Sequence, residues 1–292
     1  MFKRKRFKIF LVLLLLVTHF STRLIYAQEE GWVKSGERWW YRYSDGGYPA
    51  NEWLQVNGVW YHFDDEGWME TGWIKYSNKW YYLNESGAMR TSYLYTGDAE
   101  YYFHSDGDMY WMKLIVEWQK QENTNWCWLA SATMAGNYIR DYQLTQVEVG
   151  KYVLNTSEPP NVAGWPWDIS KAMEYYTNYS AGWTIIPENS SQLIDRIDAK
   201  KPFVLSVLWP TMIHLLGSEF DIGGFSGHSV CVVGYNLETR EMIYYDPGLG
   251  SYKNSFISMD EIDSRAVYKQ KSYLTMNYNQ KGLYATLNFY NY

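Results

Sequence analysis

Residues 121–131 read Gln-Glu-Asn-Thr-Asn-Trp-Cys-Trp-Leu-Ala-Ser. From Cys127 to about Tyr142 the chain suits a helix, and Ala130, Ala132, Ala135 and Gly136 are small enough for close packing against a neighbour. Asn125 is expected to cap that helix. Cys127 then falls in the first turn, where unpaired backbone N–H groups and the helix dipole favour a thiolate. This position suits a nucleophile better than a buried structural cysteine.

Working outward, residues 223–235 read Gly-Gly-Phe-Ser-Gly-His-Ser-Val-Cys-Val-Val-Gly-Tyr, a glycine-rich approach to an apolar strand. His228 stands at the strand's mouth. Alternation along the strand puts His228, Val230 and Val232 on one face and Ser229, Cys231 and Val233 on the other. The only two cysteines are Cys127 and Cys231, and export would allow a disulfide between them. If His228 meets Cys127, however, Cys231 is an inert core thiol and no disulfide forms. A third stretch, Met242-Ile243-Tyr244-Tyr245-Asp246-Pro247, ends the next strand with an acid 18 residues after His228. A thiol, a histidine and an acid at the ends of helix and strands are the parts needed for nucleophilic catalysis.

These residues resemble the papain-like cysteine peptidases. The shared features are Gln121, Cys127, Trp128 and Ser131, then Gly227-His228-Ser229-Val230 with Gly234-Tyr235, then Tyr244-Tyr245-Asp246-Pro247. The last is most similar to the compact bacterial branch near the bacteriocin-leader peptidases and papain-like effector proteases. The resemblance covers residues 113–292 and implies an α+β papain-like domain. It also implies roles: Cys127 as nucleophile, His228 as its ion-pair partner and later acid, Asp246 orienting the imidazole, and Gln121 donating to the oxyanion with the Cys127 N–H. Trp128 is expected to pack behind the site. His214 lacks the glycine approach and apolar strand, so it reads as loop or core. Residues 168–176 and 191–200 read as helices and 203–208 as a buried strand; the tyrosine-rich tail from Tyr273 adds strands or covers the sheet.

Residues 31–111 have a different character, with 9 Trp, 12 Tyr and 2 Phe in 81 residues. The aromatics recur: Trp40, Trp60 and Trp80 step by 20, as do Tyr41, Tyr61, Tyr81 and Tyr101, and Gly47, Gly67, Gly87 and Gly107. Trp32, Trp53, Trp73 and Tyr93 step by 21, 20 and 20, one residue out of phase. Four such units mean a stacked array. Each reads as a hairpin; in the second, Glu52–Val56 and Val59–Phe63 flank Asn57-Gly58, a pair suited to a two-residue turn. His62 and His104 lie out of register and read as surface.

Gly72-Trp73-Ile74-Lys75, Lys79-Trp80-Tyr81-Tyr82 and Ser86-Gly87-Ala88-Met89 resemble the choline-binding or cell-wall-binding repeats of Gram-positive surface proteins. The resemblance implies an all-β solenoid of hairpins. It also implies aromatic cages for choline on teichoic acids, or sites for another wall polysaccharide, with Trp32, Trp40, Trp53, Trp60, Trp73, Trp80 and Tyr81 as candidate ligand residues. A quaternary ammonium is weakly hydrated and is drawn to aromatic faces. The fourth unit has Ser92-Tyr93 and Glu100 where the pattern has Gly-Trp and Trp, and reads as a cap without a site.

Residues 1–27 carry a basic head, an apolar run from Ile9 to Val17 and a final Ala27, the pattern of a cleaved secretory signal peptide. Without them the chain has 20 basic and 32 acidic residues, so the full-length charge of −6 understates how acidic the exported protein is. That balance excludes a general nucleic-acid binder. No other segment is apolar for long enough to span a membrane, and two cysteines with five histidines leave little for a metal cluster. The acidic turns (Asp64, Asp65 and Glu66; Asp106 and Asp108) read as solvated, without calcium-loop spacing.

The expectation is a secreted cysteine peptidase held at the bacterial wall. It needs no cofactor, and its partners are a wall polymer and a protein or peptide substrate. Two alternatives stand beside it: a peptidoglycan amidase or endopeptidase with the same Cys/His chemistry, and a non-catalytic wall-binding adhesin.

Overall fold

The computed structural model describes residues 29–177, 181–185, 189–208, 227–263 and 285–290. The expected signal peptide, His214, the glycines at 223 and 224 and most of the tyrosine-rich tail lie outside them. The chain folds as two compact units. Among the described residues, one holds residues 29–74 with Tyr82–Met89, the other Lys75–Tyr81 with the described residues from Arg90 onward.

The repeats are hairpins: β1 (Gly31–Ser35) with β2 (Arg38–Arg42), β3 (Glu52–Val56) with β4 (Val59–Phe63), and β5 (Gly72–Tyr76) with β6 (Lys79–Leu83). Asn57 and Gly58 both have positive φ, 52° and 83°, as the two-residue turn requires. Within the first unit, hairpins are linked in a repeating way. Met69 N–H donates to Trp39 C=O at 2.8 Å, and Met89 N–H donates to Trp60 C=O at 2.9 Å. The Trp32 ring sits 4.7 Å from Tyr61 and 5.9 Å from Phe63. A side chain on Gly67 would collide with the Tyr48 ring, its Cβ only 2.2 Å away.

These links correct the register of the first repeat. The second strands begin at Arg38, Val59, Lys79 and Ala99, so they step by 21, 20 and 20. The counterpart of Trp60 and Trp80 is therefore Trp39, while Trp40 matches Tyr61, Tyr81 and Tyr101. The expected in-phase series misaligned the first unit by one residue, because the adjacent Trp39-Trp40 pair offers a tryptophan in either register. In the true register each first-strand aromatic faces a ring across the hairpin. Trp32 meets Tyr41, Trp53 meets His62, Trp73 meets Tyr82 and Tyr93 meets Tyr102. His62 is thus in register and buried, with its Nδ1 2.5 Å from Glu70 Oε2, contrary to the surface expectation. His104 is half-buried, bonded to Asp108 at 2.9 Å and stacked on Tyr110. Asp108 is not a solvated turn residue either: it is buried and also pairs with Lys79 at 2.7 Å.

Among the described residues the second unit is built on a nine-stranded sheet, in which the strands run β10 (Ala181–Ile185), β15 (Ala285–Tyr290), β11 (Phe203–Leu208), β12 (Gly227–Asn236), β9 (Met109–Leu114), β8 (Ala99–Phe103), β7 (Tyr93–Tyr95). β13 (Glu241–Tyr245) and β14 (Asn254–Ser258) extend from the other edge of β12. The hairpin of the fourth repeat therefore continues into the sheet that carries His228, and the change of period at residues 111–113 falls inside β9. β12 is long enough to pair first with β11 and then, past a bulge at Val232/Gly234, with β9. The switch needs Gly234, since a Cβ there would lie 2.4 Å from Met112 C=O. β15 supplies the strand expected from the tail.

α1 (Cys127–Arg140), α3 (Pro166–Thr177) and α4 (Ser190–Asp198) lie against the sheet, and α2 (Gln146–Leu154) packs on α1 and α3. α2 carries a full capping box between Thr145 and Glu148, a signal legible as Thr-x-x-Glu. α1 packs on β12, β11 and α3. Gly136 makes the α1–α3 approach possible, as its missing Cβ would sit 2.3 Å from the Tyr176 ring.

Candidate active site

Cys127 opens α1 and is half-buried. The residue before it, Trp126, is the N-cap and makes no side-chain capping bond. Asn125 does not cap the helix as expected. Its N–H and amide instead bond the side chain and carbonyl of Asn161, at 2.9 and 3.2 Å. The indoles of Trp126 and Trp128, both buried, donate to Pro160 C=O and Val162 C=O at 2.9 and 3.1 Å. The loop at 160–162 thus grips the residues on either side of Cys127, and the first-turn N–H groups receive no bond from the N-cap side chain. Orphan donors of this kind attract negative charge.

From the sheet side, Ser131 Oγ donates to Ser229 C=O at 3.0 Å in a fully buried bond. This fixes the register of α1 against β12 and brings His228 to the thiol. The sulfur is hydrogen-bonded to the His228 imidazole and accepts the backbone N–H groups of Trp128 and Ser229. His228 Nε2 lies 2.7 Å from Asp246 Oδ1, which leaves Nδ1 for the sulfur. Asp246 Oδ1 also accepts Gly248 N–H at 2.7 Å, and its carbonyl accepts the Trp118 indole N–H at 3.0 Å.

Burial opposes charge on both members of the Cys–His pair, but their mutual bonding outweighs it. The Cys127 thiol falls below its ordinary value because burial, which would raise it, is overcome by the imidazole and the two backbone donors. His228 rises to about 10, burial being overcome by Asp246 and then Cys127. Opposite shifts of this kind favour a thiolate–imidazolium pair. Cys231 behaves oppositely: it is a fully buried free thiol, and burial alone pushes it far up.

Gln121 reaches the same corner, its N–H donating to Pro247 C=O at 2.9 Å. Its side-chain amide donates to Asn123 C=O and Thr124 C=O at 2.9 and 2.8 Å, so both amide hydrogens are engaged within its own loop. Trp118, Asn161 and Gly248 join the site without having been anticipated. Only Trp118 had a local signal, as an indole just ahead of Gln121.

Of the candidate ligand residues, Trp60 is 40% exposed, matching 38% at its true counterpart Trp39. Trp32, Trp53 and Trp73 are half-buried against cross-strand rings, and Trp40 lies edge-on to Tyr48. Trp80 donates to Asp198 at 2.9 Å, so its indole N–H is already bonded within the second unit, and Tyr81 is half-buried. Among the described residues, His104, Asp106 and Asp108 form the one acidic group close enough to share an ion, and Lys79 already lies on Asp108.

Residues 113–280, more than half of the chain, match the Peptidase_C39 like family. The chain belongs to that family. The Cys127, His228 and Asp246 cluster lies entirely within the Peptidase_C39-like region, and residues 50–93 match a second description, the choline-binding repeat. No curated protein matches the chain. Among solved structures, the Peptidase_C39-like chain is similar to the modular Cpl-1 endolysin complexed with a peptidoglycan analogue. Identity there is 34% over 29% of this chain and 28% of that one, with a TM-score of 0.27. CbpJ from Streptococcus pneumoniae TIGR4 is 38% identical over 30% and 31%, TM-score 0.27. The choline-binding domain of Spr1274 in Streptococcus pneumoniae is 31% identical over 28% of this chain and 96% of that one, TM-score 0.26. The chain thus spans under a third of the first two. Among the described residues no helix is long and apolar enough to cross a membrane.

Proposed function

We propose that the protein is a secreted cysteine peptidase, held at the bacterial wall by its aromatic repeats, that cleaves peptide bonds with Cys127, His228 and Asp246. The observation carrying this reading is the His228 imidazole, bonded to a helix-start thiol on one side and to a buried carboxylate on the other. The thiolate attacks the scissile carbonyl carbon; the S–C bond forms and the C=O electron pair moves to oxygen. The Cys127 N–H, an orphan donor of the first turn, stabilises that oxyanion. Gln121 joins it by exchanging one of its two loop carbonyls for the oxyanion. Collapse breaks the C–N bond, and the His228 imidazolium protonates the departing amine. Neutral His228 then draws a proton from water, which attacks the thioester, releases the carboxylic acid and restores the ion pair. Asp246 holds the ring throughout.

The repeats stack as a solenoid and bind choline-bearing teichoic acid or a related wall polysaccharide, which raises the local concentration of the catalytic unit at the surface. The choline-binding-repeat match and the exposed Trp39 and Trp60 rings support this part of the reading. The test is cleavage of a peptide library and of purified wall by the wild type and by Cys127→Ala. Library peptides cut by the wild type alone support the proposal; equal cutting by both variants removes the catalytic assignment. Release of wall peptides with no cutting of other proteins makes the enzyme a peptidoglycan amidase or endopeptidase.

A further inference from the structure

We infer that Gln146, the first residue of α2, is a positioning residue for the site: its buried amide clamps the loop that carries Gln121. The inference rests on the peptidase reading above, in which Gln121 donates to the oxyanion.

The loop needs such a clamp. Residues 115–126, between β9 and α1, belong to no helix or strand, so no backbone ladder fixes their path. Gln146 is only 2% exposed, and a side-chain amide so buried must find partners. Both partners are neighbours of Gln121. Gln146 Oε1 accepts Glu122 N–H at 3.0 Å, and its Nε2 donates to Lys120 C=O at 2.7 Å. One planar amide thus holds the backbone on either side of Gln121 and sets the direction in which that residue projects.

That direction is toward the imidazole. Gln121 N–H donates to Pro247 C=O at 2.9 Å, next to Asp246. A Cβ on Gly248 would lie 3.6 Å from Gln121 Oε1 and 3.4 Å from the His228 ring, so the two side chains flank one point. To serve the oxyanion, the Gln121 amide must leave Asn123 C=O or Thr124 C=O while its backbone stays in place. A donor helps only if it sits about 3 Å from the forming charge, so the clamp separates a turning side chain from a fixed main chain.

The clamp is itself anchored to the helix that Cys127 opens. Asn137, in α1, accepts Leu144 N–H at 3.1 Å and donates to Leu144 C=O at 2.9 Å. Thr145 and Glu148 then close the capping box that fixes the start of α2. Two side-chain amides in series, Asn137 and Gln146, therefore refer the Gln121 loop to the same helix as the nucleophile.

The test compares Gln146→Met with Gln121→Ala in the full chain. Methionine keeps the length of the side chain and makes neither bond. Gln121→Ala should lower kcat about 10²-fold. Gln146→Met should lower it about 10- to 50-fold with under about 3-fold change in KM. The double variant should fall within about 3-fold of Gln121→Ala, because both changes act through one hydrogen bond. Alkylation of Cys127 by iodoacetamide forms no oxyanion and should keep its wild-type rate throughout. Gln146→Glu retains an acceptor for Glu122 N–H and should lose less than Gln146→Met, which gives a second variant should the first not fold. Hydrogen exchange reads the clamp without turnover: Gln121 N–H should exchange at least about 10-fold faster in Gln146→Met or Gln146→Glu, with β12 still protected. Unchanged kcat, multiplied losses in the double variant, slower alkylation or unchanged exchange at Gln121 would overturn the inference. If the wild type cleaves no peptide the peptidase reading fails, while the exchange arm still decides whether Gln146 holds Gln121.

Discussion

His228 Nε2 and Asp246 Oδ1 are 2.7 Å apart, with only 10% and 5% of the two side chains exposed. Little water screens this pair, so the carboxylate acts strongly on the ring. Asp246→Asn keeps an oxygen for Gly248 N–H but removes the charge that helps hold His228 up at about 10. The working form needs an imidazolium, so activity is lost as pH rises through the His228 value. Removing the carboxylate should bring that loss to lower pH and reduce kcat/KM by about 10²- to 10⁴-fold above neutrality. A pH–rate profile of wild type and Asp246→Asn checks both. The sign for stability is the same: a raised histidine value contributes fully below its ordinary 6.5, and that contribution fades as pH climbs through about 10.

Gly136→Ala sets two effects against each other. Alanine favours an α-helix over glycine by about 1 kcal/mol. Its Cβ, however, would lie 2.3 Å from the buried Tyr176 ring, whose hydroxyl is bonded to Asn137. Overpacking of this kind costs about 1–3 kcal/mol. The net should be a loss of about 1–2 kcal/mol, read as a lower urea midpoint with unchanged m-value.

The serine contact beneath the site should matter comparably. Ser131→Ala leaves Ser229 C=O without its buried donor, and Ser229 lies next to His228. A cost of about 1–3 kcal/mol is expected, together with slower turnover as β12 loosens against α1. Chemical denaturation and kcat measured on the same preparation test the link.

In the repeats, exposure separates binding from packing. Trp60→Ala should weaken retention on a choline matrix while changing stability by under about 0.5 kcal/mol. Trp32→Ala removes a ring packed against Tyr41, Tyr61 and Phe63 and should cost about 2–3 kcal/mol. If Trp39 and Trp60 are equivalent, Trp39→Ala should resemble Trp60→Ala on the column and Trp40→Ala should not.

The sequence was readable where one residue type has one physical use. Cys127 and His228 lie in segments whose helix or strand character is local, Gln121 and Asp246 lie in the loops beside such segments, and the four come together. The Asn57-Gly58 turn was equally plain. The reading failed where two residues competed for one role. Trp39-Trp40 allowed either phase, and only the strand pairing decided between them. Asn125 had the chemistry of a cap, but Asn161, 36 residues on, took its hydrogen bonds. The entry of β9 into the sheet that carries His228 was hidden because its partner, residues 234–236 of β12, is more than 100 residues away.

The most direct test of the central claim is the pH dependence of Cys127 alkylation by iodoacetamide, followed by mass spectrometry. A thiolate held by His228 should react readily at pH 6, where an ordinary cysteine is almost fully protonated, and His228→Ala should slow it sharply at that pH. Cys231 should stay unlabelled until the protein is unfolded. Labelling of Cys127 that rises only near pH 8.5, with no change in His228→Ala, would contradict the ion pair and the catalytic account built on it.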